Sequence, residues 1–251
     1  MGKVYFIGAG PGDPDLITVK GRKIIETADV IIYAGSLVNR AVIDCRKAGA
    51  VVYNSASMTL EEVIAVMKEG IAAGAVIARV HTGDPSIYGA IREQIDELEK
   101  LSILSEVGPG VSAFTAAASV LGMEFTLPGV SQSVICTRLE GKTPVPEEED
   151  LELLASHRAS MAIFLSVHMI DDVVKKLSVH YDENTPVAIV QKATWPEQKI
   201  VRGILKDISV KIRDEDIDRT ALILVGNFLG SSYDRSLLYD STFSHGFRKA
   251  K

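Results

Sequence analysis

Apolar runs that end in glycine and pass straight into helix-periodic stretches recur through the first half of this chain. KVYFIG (3–8) breaks at GAGPGD and leads into LITVKGRKIIETA (16–28), where Leu16, Val19, Ile24, Ile25 and Ala28 fall at helical spacing. DVIIYAG (29–35) and AVVYN (50–54) read as the next strands. TLEEVIAVMKEGIAAG (59–74) carries its own helix ends: Thr59 as cap, Glu62 three residues on, Gly74 as stop. AVIARVHTGDP (75–85) reads as a fourth strand, then come the helix AIREQIDELEKL, a brief strand in LSEVGPG and the small-residue helix SAFTAAASVLG (112–122). This alternation demands a largely parallel sheet with helices on its faces. Such a sheet holds ligands at the carboxyl ends of its strands. The loops at 8–13, 82–88 and 108–112 all fall at such ends.

The texture changes after FTLPGVSQ, where Pro128 and Gly129 mark a hinge within a linker near 123–130. SVICTR, MAIFLSV, PVAIVQKA, KIVRGIL and TALILVGN read as strands of a second layer. Only TWPEQ separates two of them, a hairpin-length link, so the second sheet is expected to be mixed. The reading is two α/β domains, 1–125 and 126–251, the first sheet largely parallel.

The formal charge of −6 comes without a basic stripe, which argues against a nucleic-acid partner. Two isolated cysteines, Cys45 and Cys136, make no disulfide framework and read as buried reduced thiols. Without a CxxC, HExxH or Cys/His cluster, no metal site is expected. Apolar runs fall short of the ~20 residues a membrane span needs. Met1 leads directly into a strand, so no leader peptide and a cytoplasmic location are expected.

The opening loop GAGPGD has two residue-level readings. A dinucleotide fingerprint fits Gly8 and Gly10, but Asp13 stands at the third glycine position and the second strand ends without an acid. Pro11 lacks an amide donor where the pyrophosphate would lie. Alternatively the loop is a tight ligand-free turn, its glycines permitting close approach and Asp13 capping the next helix.

GAGPGDPDLITVKG, RVHTGDPSIYG and VGPGVSAFTAAA together resemble the tetrapyrrole methylases that use S-adenosylmethionine, across essentially the whole chain. TRLEGKTPVPEEEDL, QKATWPEQKIVRG and the tail FSHGFRKAK resemble the branch that methylates C11 of precorrin-4, with or without cobalt. The resemblance implies two α/β domains with a cleft between them and a homodimer. It implies cofactor contacts at Pro11, Thr82, Gly83, Asp84 and Ile87, then Ser112, Ala113, Ser166 and Ala193. Asp84 reads equally as a carboxylate holding its own loop.

A precorrin carries acetate and propionate groups, so basic side chains should bind it. Arg138 is the first candidate, its alternative being an ion pair with Glu140; Lys192 and Arg79 are weaker, and Tyr88 flanks the second loop. No catalytic base stands out: His81 sits at a strand end, where a satisfied structural histidine is the commoner case. Trp195 reads as a packing anchor at the hairpin tip or as part of a dimer contact. The acidic run Glu147 to Asp150 reads as a helix start. Sister methylases acting on uroporphyrinogen III or another precorrin, and a nicotinamide-dependent oxidoreductase, are the competing functions.

Overall fold

The computed structural model describes residues 2–250. In its first sheet the strands β1 (Lys3–Gly8), β2 (Val30–Tyr33), β3 (Val51–Asn54), β4 (Val76–His81) and β5 (Ser105–Gly108) lie in the order β3-β2-β4-β1-β5, with every pairing parallel. The helices α1 (Val19–Thr27), α2 (Leu60–Ala72) and α3 (Ile91–Lys100) connect β1 to β2, β3 to β4 and β4 to β5, and α4 (Ala113–Leu121) follows β5. Strand alternation sends Val4 and Phe6 into one core with Val63, Met67 and Leu98, and Ile7 into another with Ile25, Ile31 and Val80. With both faces covered, β1 reads as a near-continuous apolar run.

The helix caps follow the sequence in one place and depart from it in another. Thr59 and Glu62 form the reciprocal capping box at the start of α2, with hydrogen bonds of 3.3 and 2.8 Å. The helix read from Leu16 starts later. Asp13 caps a 3-10 turn at Pro14–Leu16, and Thr18, accepting from the Gly21 amide at 3.0 Å, begins α1 afresh.

The second sheet has the order β6-β7-β10-β8-β9, from β6 (Val134–Arg138), β7 (Ser160–Phe164), β8 (Pro186–Gln191), β9 (Lys199–Ile204) and β10 (Ala221–Val225). β6 and β7 run parallel and the other pairings are antiparallel, so the sheet is mixed. Its core joins Met161, Ile163, Ile189 and Ile223 to Leu151 of α5 (Leu151–Ala155), Val173 and Leu177 of α6 (Ile170–Leu177) and Ile208 of α7 (Ile208–Asp214). The acidic run forms a 3-10 turn, and Asp150 caps α5 by accepting from the Glu152 amide at 2.8 Å. Cys45 and Cys136 are free thiols, only partly buried rather than enclosed.

Two compact units result. The first is the chain up to Ala116 together with Lys192–Gln198; the second is Ala117–Gln191 with the chain from Lys199 onward. The tip of the β8–β9 hairpin therefore belongs with the parallel sheet.

Candidate active site

β4, β1 and β5 are neighbours, so their carboxyl-end loops meet, and glycine is what lets them. A Cβ on Gly8 would stand 2.4 Å from the Gly83 carbonyl oxygen and 2.6 Å from Gly110 Cα; one on Gly110 would stand 2.1 Å from that same oxygen. Gly10 and Gly83 exchange main-chain hydrogen bonds of 3.3 and 2.8 Å, with Gly83 in the left-handed region at φ 58°. Gly83 lies against the start of α4: its Cβ position is 3.5 Å from the Ala113 amide nitrogen and 3.6 Å from Ser112 Cα. Ser112 is buried there.

Asp84 clasps two of these loops. Its Oδ2 accepts from the Gly110 amide at 2.8 Å, and its Oδ1 accepts from the Ser86 amide at 2.8 Å and from the Ser86 hydroxyl. Burial pushes this carboxyl upward, but the hydrogen bonds from Ser86 and Gly110 outweigh it and hold it below the ordinary carboxylate value. Asp84 is thus ionised and already committed to its own loops.

The opening loop is gripped from the hairpin tip, a link of high sequence separation. Trp195 Nε1–H donates to the Pro11 carbonyl at 2.7 Å, and the Asp13 amide donates to Thr194 Oγ1 at 3.0 Å. Gly12 is obligatory beneath the indole, since a Cβ would lie 2.0 Å from Trp195 Cδ1. Asn39 Nδ2 donates to the Gly12 carbonyl at 2.9 Å. Lys192 places its ammonium 5.6 Å from the indole centroid, and Ala193 beside it is buried. Trp195 is a packing anchor for this loop.

The second loop closes through a strained turn. Ile87 is half-buried, and its amide donates to the Asp84 carbonyl at 3.2 Å. Tyr88, 47% exposed, has φ 54°, and Ala90 has φ 48°. Left-handed backbone costs an L-residue roughly 1–2 kcal/mol. Between them Gly89 is required, because a Cβ would meet the Pro85 carbonyl oxygen at 2.1 Å.

Below this turn lie two buried polar side chains of β4. Arg79 is not at the surface but 7% exposed, donating to Gln94 Oε1 (3.0 Å), Ser55 Oγ (3.0 Å) and the Ile32 carbonyl (3.4 Å); burial lowers it to about 10. His81, 5% exposed, is not the satisfied histidine its position suggested: Nε2 has no hydrogen-bond partner among the described residues. Burial, then the neighbouring Arg79 charge, lowers it to about 3, so it is neutral at physiological pH.

Ser166 and Arg138 belong to the second unit. The Ser166 hydroxyl is fully buried, accepting from the Leu139 amide at 2.8 Å and donating to the Phe164 carbonyl at 2.7 Å. Arg138 is half-buried, and its guanidinium donates to the carbonyls of Leu139 (3.4 Å), Thr143 (3.1 Å) and Pro144 (2.6 Å). Among the described residues it forms no ion pair with Glu140. The structure thus gathers Pro11, Thr82, Gly83, Asp84, Ser112, Ala113, Lys192 and Ala193 in the first unit, with Ile87 and Tyr88 on the same loop system.

These loops suit a sulfonium cofactor. They offer main chain that glycine leaves uncovered, the ionised Asp84 carboxylate, and no lysine or arginine within 8–13, 82–88 or 108–112 to repel a cation. Among the described residues no group of His, Cys, Asp and Glu could hold a metal.

Known proteins resemble this chain in sequence and fold. A cobalt-precorrin-4 C(11)-methyltransferase of Methanocaldococcus jannaschii is 57% identical over 250 residues, covering 99% of this chain and 96% of the relative. The X-ray structure of a cobalt precorrin-4 methyltransferase, a cobalamin biosynthetic enzyme, superposes with a TM-score of 0.89 at 47% identity, covering 91% of this chain and 96% of the other. A uroporphyrin-III C-methyl transferase of Thermus thermophilus, complexed with S-adenosylhomocysteine, gives a TM-score of 0.74 at 25% identity, covering 90% of this chain and 93% of the other. The family model for Tetrapyrrole (Corrin/Porphyrin) Methylases matches residues 3–209, and the chain belongs to that family.

Proposed function

We propose that this protein is the S-adenosylmethionine-dependent methyltransferase that methylates C11 of cobalt-precorrin-4 or precorrin-4 in cobalamin biosynthesis. The observation that carries the reading is the junction of three glycine loops at Gly8, Gly83 and Gly110, in a chain 57% identical over nearly its full length to a relative of that activity. When bound, S-adenosylmethionine supplies a methyl group on a sulfonium, and its departing thioether is neutral, so the site needs no general acid.

Pro11, Thr82, Gly83, Asp84, Ile87, Ser112, Ala113, Ser166 and Ala193 hold the cofactor in this reading. Asp84, ionised, sets a local negative charge that favours a cation; the clasped loops fix positions, and alignment of two bound reactants is worth several kcal/mol. Arg138, Lys192 and Tyr88 serve the carboxylate-bearing macrocycle, Arg138 also by shaping the Leu139–Pro144 turn.

The reading extends to a cytoplasmic homodimer. The homodimer is supported by the outer strand β3, which leaves Val51, Val52 and Tyr53 exposed at the edge of its sheet. No helix among the described residues is long and apolar enough to cross a membrane. Isothermal titration with S-adenosylhomocysteine, run beside NAD, tests the cofactor assignment. Saturable binding of the first alone supports it, whereas binding of NAD alone returns the opening loop to the dinucleotide reading.

A further inference from the structure

Gln94 lies on the first turn of α3, 5% exposed, and is not among the residues proposed to hold cofactor or macrocycle. Its side chain sits between a buried cation and a strained turn. Arg79 Nε–H donates to Gln94 Oε1 at 3.0 Å, and Gln94 Nε2–H donates to the Ala90 carbonyl at 2.9 Å. A guanidinium only donates, so it forces the amide oxygen toward itself and the amide NH2 toward Ala90. Ala90 is the N-cap of α3 in left-handed geometry, and it has no side-chain cap of its own. Arg79 is in turn fixed by Ile32 at the end of β2 and by Ser55, whose hydroxyl donates to the Tyr33 carbonyl at 3.2 Å.

We propose that Gln94 is a positioning residue: the relay Arg79–Gln94–Ala90 holds the Tyr88–Ala90 turn in its left-handed conformation and thereby sets the shape of the loop from Thr82 to Tyr88. The proposal rests on the assignment of that loop to the cofactor and macrocycle. Two facts make the relay more than packing. A buried guanidinium facing neutral acceptors is a costly way to fill a core, and an apolar side chain would do so without desolvating a charge. The strain it opposes is concentrated on two non-glycine residues of one turn, Tyr88 and Ala90.

Gln94→Glu separates positioning from stability. The carboxylate keeps the acceptor for Arg79 and gives the buried cation a counter-charge, but its side chain has no donor for the Ala90 carbonyl, which then keeps only the main-chain bond of the helix. The expected result is a melting temperature no lower than that of the parent and faster amide hydrogen exchange in the peptide covering 84–91. S-adenosylhomocysteine affinity should fall about tenfold or more, because small misplacements of a binding loop are costly. Gln94→Met, which loses both halves of the relay, repeats the measurement should the Glu variant fail to fold. Unchanged exchange in 84–91, or unchanged affinity with faster exchange, overturns the proposal. Failure of the parent protein to bind S-adenosylhomocysteine overturns the cofactor assignment instead, and the exchange rates still decide whether the relay holds the turn.

Discussion

Lowering the pH should expose the cost of burying His81. The imidazole is 5% exposed with Nε2 unpaired, and it titrates at about 3 instead of 6.5 because of burial and then the Arg79 charge. Below 6.5 the unfolded chain takes up a proton that the native protein refuses. Stability therefore falls with falling pH through this window, at about 1.4 kcal/mol per pH unit once the unfolded histidine is fully protonated. Between pH 7 and pH 5 the loss assignable to His81 comes to about 2 kcal/mol. Carboxylates held low by their partners, such as Asp29 and Asp150, lose stability mainly further down, around and below their unfolded values. Urea unfolding followed by circular dichroism at both pH values, on the parent and on His81→Asn, isolates the effect as the difference between the two pH dependences. Parallel pH dependences would show that the native imidazole accepts a proton and that the burial argument fails. Because His81 stays neutral at working pH, the same substitution should also leave the inflections of the pH–rate profile in place.

Gly83→Ala meets only ordinary contacts near Ser112 and Ala113 but forces a side chain to φ 58°, so it should cost ~1 kcal/mol of stability. Gly83→Val adds branches against those residues and should weaken S-adenosylhomocysteine binding at least tenfold by titration. Gly12→Ala should drive the indole of Trp195 off its seat at a cost of ~1–3 kcal/mol in urea unfolding. Trp195→Phe should lose about 1 kcal/mol with the bond to Pro11. Arg138→Ala should weaken macrocycle binding, loosen 139–144 to hydrogen exchange and leave S-adenosylhomocysteine affinity nearly intact; an equal fall in both affinities would remove Arg138 from the substrate side.

What could be read from the sequence was what is written locally. β1 was legible to the residue because a strand buried on both faces is an apolar run, here stopped by the glycine its loop requires. Thr59 and Glu62 were legible because a capping box spans only three residues. The start of α1 was not, since Leu16 continues the helical spacing although the Thr18 cap begins the helix beyond it. The glycine loops stood out by type, but the grip of Trp195 on Pro11 spans 184 residues, and no periodicity carries such a contact. Residue type also misdirects where chemistry is ambiguous. An arginine on a strand suggests a carboxylate partner, yet the guanidinium of Arg79 is buried against neutral groups. The role of Gln94 had no local signal, because only the fold places its two amide ends between Arg79 and Ala90.

The position of the transferred methyl group tests the central claim most directly. The protein is incubated with cobalt-precorrin-4 and S-adenosylmethionine carrying a carbon-13 methyl, and the product is read by NMR. C11 methylation predicts a single labelled methyl on that ring carbon. Label on any other carbon would make the protein a sister methylase of the same fold. Absence of label, with S-adenosylhomocysteine bound and substrate intact, would contradict the assigned substrate.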